Sequence, residues 1–313
     1  MPDFLDTFLK NGKYRLIEIL QINKRKDTYI LKIQKESHYF ILKAYTENSP
    51  EDIQKRFEKE RDFYIDNRDC TLIPKLSFYK DSILIFEYFE STTIRDYLKN
   101  NNQELALVES LTRALNMFQE KIKKESKSKK AERHYFDNIF IYIKTLSNSY
   151  PQQAKDVNIS KIDRILNKLI SMLLIYKVSN RLKRVQYYNF SRGFAHLDLH
   201  YNNILINKNL EIKFIDFENI RYEGYFIFDI LYLIVIIEIF LENDESKQKL
   251  RDYLHVITLN DKVTLQIYEV FKIASMINKK FQKNTTQERV SKIEKIILIF
   301  NIIKNLKNKA ANV

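Results

Sequence analysis

The chain has 313 residues, 45% of them hydrophobic, enough to bury a sizeable core in one two-lobed domain or two smaller ones. Its formal net charge is +13, and it holds one cysteine, three glycines and four prolines. The single Cys70 rules out an internal disulfide and fits a reducing compartment, while scarce Gly and Pro argue against long flexible linkers.

The start, Met1-Pro2-Asp3-Phe4-Leu5-Asp6, is acidic and its apolar run is short. It reads as a short helix, with no signal peptide expected. Strands are expected at about 14–22, 28–34 and 38–45. The turn between the first two, Asn23-Lys24-Arg25-Lys26-Asp27, is basic and has no Gly. The third run, Tyr39-Phe40-Ile41-Leu42-Lys43-Ala44, is apolar until Lys43.

A helix is expected over about 50–64, with Ser49 as N-cap, Pro50 at the first helical position, and Glu51 and Asp52 in the first turn. Ile53, Phe57, Glu60 and Tyr64 follow at steps of four, three and four, so they share one face. That puts Glu60 on the apolar face, where an unpaired carboxylate is costly. An ion pair with Lys43 removes the cost. Glu58 points elsewhere, and a surface carboxylate at the stripe's margin is the plain alternative for Glu60.

Strands at about 72–79 and 82–88 follow, the second reading Ser82-Ile83-Leu84-Ile85-Phe86-Glu87-Tyr88. Thr93 to Leu98 begins a helix, and Leu105, Val108, Leu111, Leu115, Phe118 and Ile122 continue at helical steps. Residues 120–190 read as a long, charged helical insertion. The run from Tyr225 to Leu241 is apolar all round. It contains Asp229 and Glu238 and is shorter than the roughly 20 residues that span a bilayer, so a buried helix is expected. Further helices are expected near 245–257, 261–282 and 286–309, and no internal repeat is evident.

The informative segment lies between the insertion and the apolar helix. It reads His196-Leu197-Asp198-Leu199-His200-Tyr201-Asn202-Asn203-Ile204-Leu205-Ile206, and later Ile215-Asp216-Phe217-Glu218. Ile204-Leu205-Ile206 and Ile212-Lys213-Phe214-Ile215 flank the polar turn Asn207-Lys208-Asn209, so they read as a hairpin. Such a hairpin returns Asp216 to the side of Asn203. A loop carboxylate with an amide and a second carboxylate on rigid backbone can accept a proton and hold a divalent cation. His196, Asp198 and His200 are also residue types that bind zinc, but no further His or Cys cluster supports such a site.

Asp198 precedes Asn203 by five positions, the spacing of the protein-kinase pattern H-R-D-x-x-x-x-N. The whole pattern, H-x-D-x-H-x-x-N-I-L followed by I-D-F-E, resembles the aminoglycoside phosphotransferase and choline kinase superfamily. The resemblance implies an α+β, two-lobed protein-kinase-like fold. A small antiparallel sheet with one helix would form an N-lobe at 1–88. A larger, mainly helical C-lobe would cover 89–313. It implies Asp198 as catalytic base, His196 as a structural member of the catalytic loop, and Asn203 and Asp216 as Mg²⁺ ligands. Lys43 would be the lysine on the phosphates of ATP, held by Glu60. Backbone groups near Glu87 and Phe89 would bind the base of the nucleotide. Asp229 falls where such folds carry an Asp at the start of a buried helix. Leu197 departs from the pattern, since these kinases often carry Gly there. The Gly-free turn at 23–27 departs from the Gly-rich loop of protein kinases.

The implied activity is transfer of the γ-phosphate of ATP to a hydroxyl of a small molecule or glycolipid: a sugar, amino alcohol, aminoglycoside or lipopolysaccharide sugar. An atypical protein kinase and a catalytically silent nucleotide-binding scaffold are the competing readings. In this superfamily the insertion often shapes the acceptor pocket, with Tyr135, Phe136, Tyr187 and Tyr188 as candidate lining. Basic residues cluster at 121–133, 181–184 and 304–309. Charge runs are usually solvated surface; their functional reading is attraction to nucleotide phosphates, an acidic glycolipid or an anionic membrane. No nucleic-acid-binding motif accompanies the charge. The expected setting is the cytoplasm, with peripheral contact at the inner membrane face as an option.

Overall fold

The computed structural model describes residues 2–23, 27–46, 49–100, 103–122, 193–224, 226–258 and, except for 266 and 270, 264–272. Most of the insertion, the tip of the basic turn and the C-terminal segment lie outside the described residues, as do the aromatics Tyr135, Phe136, Tyr187 and Tyr188. The chain divides into two compact units. The first contains Met1–Ser126, Gly193–Tyr222 and Phe240–Leu250; the described residues of the second fall within 223–239 and 251–272.

The first unit begins with helix α1 (Asp3–Asn11), whose Leu5 and Leu9 are buried. Five antiparallel strands follow: β1 (Arg15–Asn23), β2 (Thr28–Lys35), β3 (His38–Tyr45), β4 (Leu76–Lys80) and β5 (Ile83–Glu87). They form one sheet in the order β1-β2-β3-β5-β4. Leu31 and Ile33 of β2, Leu42 and Ala44 of β3, and Ile83 and Ile85 of β5 pack with α1 as one apolar cluster. Period-2 alternation sends the intervening residues to the opposite face, and Lys43 is one of them. Its Cα partners are Ile30 in β2 and Leu84 in β5.

β4 begins at Leu76, four residues later than the expected strand. The segment before it serves a different purpose. The Phe214 N–H donates to the Leu72 carbonyl at 2.8 Å, and Lys213 Nζ donates to the Ile73 carbonyl at 3.1 Å. These bonds join 71–73 to the hairpin at 204–214.

Helix α2 (Glu51–Asp66) buries Ile53, Phe57, Glu60, Phe63 and Tyr64, so the expected face is the buried one. Its start differs from the sequence reading. Pro50, in extended conformation, takes the N-cap position expected for Ser49. Pro50 leaves no N–H to be satisfied, and its carbonyl accepts from Ile53 N–H at 2.8 Å. The chain then passes through a two-residue strand β6 (Thr92–Thr93) into α3 (Ile94–Asn100) and α4 (Glu104–Lys121). The apolar stripe of α4 is buried at Val108, Leu111, Leu115 and Phe118.

After β7 (Gly193–Ala195) comes the segment from His196 to Glu218. The expected hairpin is present as β8 (Ile204–Ile206) and β9 (Ile212–Phe214), paired antiparallel, with β6 on the other edge of β8. A 3₁₀ turn at Phe217–Asn219 leads to β10 (Arg221–Gly224). Beneath this segment lies an aromatic cluster. Phe63 stacks on Phe217 at 4.1 Å between ring centroids, Phe118 meets Phe214 at 4.5 Å, and Phe194 stacks on Phe63 at 5.5 Å. Phe217 is 0% exposed. Phe217→Ala therefore destabilises the chain by about 3–5 kcal/mol, read as a fall in urea midpoint without a change in slope. A loss under about 1 kcal/mol contradicts a central role for this ring.

The second unit contains most of α5 (Phe226–Phe240), which is buried continuously from Phe226 to Ile237. Asp229 is fully buried in its first turn. Near its end, Glu238 accepts from Arg251 Nη2 of α6 (Asp244–Thr258) at 2.8 Å and from Tyr268 Oη at 2.6 Å. Burial pushes this carboxyl up, but donation from Tyr268 and Arg251 and the charge of Lys272 win, holding it below its ordinary value. No helix among the described residues is long and apolar enough to cross a membrane.

Candidate active site

The site is assembled around Lys43. Its ammonium donates to Glu60 Oε2 at 2.7 Å and to Asp216 Oδ1 at 2.8 Å. The lysine comes from β3, the glutamate from α2, and the aspartate from the turn after β9. Three elements distant in sequence therefore meet at one nitrogen. A third carboxylate, Glu218, lies 3.9 Å away. Glu60 is 1% exposed, so its charge depends on this cation. Burial raises the Glu60 carboxyl to about 7, against the pull of Lys43. Burial acts to lower the Lys43 pKa, but Asp216 and Glu60 override it and hold the ammonium well above its ordinary value. The lysine therefore stays protonated across the physiological range.

Asp216 has φ 67° and ψ 62°, the left-handed region that short polar side chains tolerate best among non-glycine residues. That backbone turn ends β9 and aims the carboxylate at Lys43. Leu197 is also left-handed, with φ 63°, and is buried. Glycine adopts this geometry freely and leucine does not. The departure noted at Leu197 in the sequence thus falls on a strained backbone position, costing about 1–2 kcal/mol.

The loop from His196 to Asn203 is tied internally. Asn203 Nδ2 donates to the Asp198 carbonyl at 2.9 Å, and the Ile215 N–H donates to the Asn203 carbonyl at 3.0 Å. These two bonds place Asp198, Asn203 and Asp216 on adjoining backbone. His196 is fully buried, with Nε2 3.0 Å from the Ile215 carbonyl and its ring 4.8 Å from Phe217. It braces the loop against the hairpin. Asp198 is 33% exposed at its side chain, and its carboxylate lies 3.6 Å from His200 Nε2. The Asn202 N–H donates to His200 Nδ1 at 3.1 Å. Nδ1 is thus the acceptor, and in the neutral ring Nε2 carries the proton that faces Asp198. Burial lowers the His200 imidazole below its ordinary value, so the neutral ring is the form at pH 7.

Burial also lowers His196, to about 4, from an ordinary 6.5. The folded state then binds fewer protons here than the unfolded state between those values. Stability from this group is complete above about pH 6.5 and is lost as pH falls toward 4, by about 3 kcal/mol in all. Wild type should lose this much more than His196→Asn on going from pH 7 to pH 4, measured by chemical denaturation at each pH. Parallel curves for the two proteins would remove His196 from this role.

Glu87 and Phe89 stand apart from the Lys43 cluster. Glu87 ends β5, where its carboxylate pairs with Lys75 at 2.7 Å and its N–H donates to the Lys75 carbonyl at 2.9 Å. The Phe89 carbonyl accepts from Ser91 Oγ at 2.9 Å, and its ring lies 5.2 Å from Lys213 Nζ. Any role in binding a nucleotide base therefore falls to their remaining backbone groups.

Two site residues went unread in the sequence. Glu218 was visible beside Asp216 but had no assigned role; a buried carboxylate next to Phe217 was the available signal. Arg56 gave no signal. It projects from α2 to Asn219 Oδ1 at 3.1 Å and to Glu218 at 3.8 Å, adding a second cation to the carboxylate cluster.

The donor set suits Mg²⁺. Asn203 spends its amide nitrogen on Asp198, which turns its oxygen the other way, and Asp216 carries a second carboxylate oxygen besides the one held by Lys43. Both are hard oxygen donors. Among the described residues no three His, Cys, Asp or Glu side chains form a metal cage. Mg²⁺ does not require one, because it is usually held by one or two protein oxygens together with substrate phosphates.

No protein-family model matches the sequence, and no curated protein matches it either. Solved structures match it in fold. Choline kinase from Cryptosporidium parvum aligns with a TM-score of 0.53 at 14% identity, over 95% of this chain and 91% of that one. Choline kinase LicA from Streptococcus pneumoniae aligns with a TM-score of 0.51 at 12% identity, over 98% and 100%. Spectinomycin phosphotransferase APH(9)-Ia, in complex with ADP and spectinomycin, aligns with a TM-score of 0.52 at 14% identity, over 96% and 94%. At such identities the likeness speaks for fold. With the H-x-D-x-H-x-x-N and I-D-F-E residues gathered at one site, the chain has the kinase-like α+β fold of the aminoglycoside phosphotransferases and choline kinases.

Proposed function

We propose that this protein is an ATP- and Mg²⁺-dependent phosphotransferase acting on a hydroxyl of a small molecule or glycolipid. The observation that carries the reading is the convergence at Lys43 of Glu60 and Asp216, with Asn203 tying the Asp198 loop to the same hairpin. In this reading the N-lobe at 1–88 binds the nucleotide, with Lys43 on its phosphates and backbone groups of Glu87 and Phe89 on its base. The C-lobe at 89–313 supplies the catalytic loop and the acceptor site.

Asn203 and Asp216 would hold Mg²⁺, which supplies positive charge against the phosphates. Glu60 keeps Lys43 aimed, and Lys43 adds a second positive charge. Asp198 accepts the acceptor's proton as the hydroxyl oxygen bonds to the γ-phosphorus and the bond to the leaving ADP oxygen breaks. His200 faces the Asp198 carboxylate with an N–H and restrains it. His196, buried and neutral, keeps the loop in place.

Choline and spectinomycin, the molecules named with two of the structural neighbours, are small, which supports a small-molecule acceptor for this chain. The test is transfer of labelled γ-phosphate from ATP, with and without Mg²⁺, to sugars, amino alcohols, aminoglycosides and lipid-linked saccharides. The expected result is Mg²⁺-dependent labelling of at least one acceptor. ATP binding without transfer to any of them would favour a nucleotide-binding scaffold instead.

A further inference from the structure

We propose, on the phosphotransfer reading above, that the hydroxyl acceptor carries an anionic group, a phosphate or a carboxylate, and that Arg95 anchors it. Arg95 is the second residue of α3, directly after β6, which pairs with β8 of the catalytic hairpin. Its guanidinium carbon lies 5.8 Å from the centroid of the Tyr201 ring. Tyr201 stands three positions after Asp198 in the catalytic loop. Its ring lies 5.8 Å from His200 and 5.1 Å, edge-on, from Phe240. His200 in turn is 3.6 Å from the Asp198 carboxylate. A short run of contacts therefore leads from the candidate base to one guanidinium.

That guanidinium lacks a counter-charge. Arg95 Nε is buried with no hydrogen-bond partner, and Arg95 makes no ion pair among the described residues. Two other arginines of the same unit are paired: Arg56 with Asn219 and Asp52, Arg61 with Asp62. A buried donor left unmet is costly, more so when it is charged. Tyr201 lies beside the guanidinium, and its terminal Nη groups, unlike Nε, are not enclosed and remain to donate. The two Nη–H groups at its end match the two oxygens of a carboxylate or phosphate. A net charge of +13 would also draw anionic acceptors toward the protein.

The test uses matched hexoses: glucose, glucosamine, glucuronate and glucose 6-phosphate. Binding is read as thermal shift with Mg²⁺ and a non-hydrolysable ATP analogue, and transfer as labelled product from ATP. Glucuronate or glucose 6-phosphate should bind about ten-fold or more tightly than glucose, and glucosamine no better than glucose. Arg95→Gln should erase that preference, and Arg95→Lys should restore part of it. A preference for glucose or glucosamine, equal binding of all four, or an anion preference that survives Arg95→Gln overturns the inference. Because binding is read without turnover, the two readings fail separately. Arg95-dependent anion binding with no transfer to any acceptor sinks phosphotransfer and keeps the anion site. Transfer to glucose or glucosamine, indifferent to Arg95, does the reverse.

Discussion

Asp198→Asn should abolish turnover while nucleotide binding survives. The substitution keeps the size of the side chain and removes only its capacity to accept a proton. The loop should hold its shape, because Asn203 bonds the backbone carbonyl of Asp198 and not its carboxylate. General-base catalysis contributes about 10²–10⁴-fold, so kcat should fall by that factor with little change in the Kd for ATP. Single-turnover phosphate transfer and calorimetric titration with ATP read the two quantities independently. Unchanged turnover would remove Asp198 from the mechanism. A parallel collapse of ATP affinity would instead make it a structural residue of the phosphate site.

Lys43→Ala should damage both stability and catalysis. Glu60 is 1% exposed and meets Lys43 at 2.7 Å, so the variant leaves a carboxylate in the core without its cation. Breaking a buried pair in this way costs about 3–5 kcal/mol. Asp216 and Glu218 add repulsion, since Lys43 separates all three carboxylates. The pH dependence identifies the cause. Burial already raises Glu60 to about 7, and losing the cation raises it further. The folded variant then binds more protons than its unfolded chain above the ordinary carboxylate pKa. Both proteins lose stability alike as pH rises to about 7, so the variant's stability relative to wild type should fall as pH rises from about 7 toward 9. Chemical denaturation at both pH values provides the measurement, and a deficit independent of pH would contradict a stranded Glu60. Lys43→Ala combined with Glu60→Gln should recover part of the loss, because the amide that replaces the carboxylate carries no charge to desolvate.

Several elements of this fold were legible because their signals are local. The strands around Lys43 alternate, α2 repeats its apolar face, and the hairpin at 204–214 has a polar turn between two β-rich runs. The burial of Glu60 followed from the same spacing, since a carboxylate at a core position of a helix requires a nearby cation. Ser49 misled because its residue type suits a cap, whereas the structure caps α2 with Pro50. The late start of β4 was hidden as well. Residues 71–73 are apolar enough to read as strand, yet their hydrogen bonds go to Phe214 and Lys213.

The residues 196–218 alone determined which groups are present: a candidate base, two oxygen donors at fixed spacing, and a hairpin to bring them together. Only the tertiary structure decided what surrounds them. Glu218 reaches Lys43 and Arg56 from far along the chain, and Arg95 meets Tyr201 across another long stretch of sequence. Sequence periodicity reports which face of an element is buried, because that depends on neighbours three or four residues away. It cannot report which distant charge will arrive against that face. That is decided by how the sheet, the helix and the hairpin at 204–214 pack together, where electrostatic and desolvation energies depend on distances that no local pattern encodes.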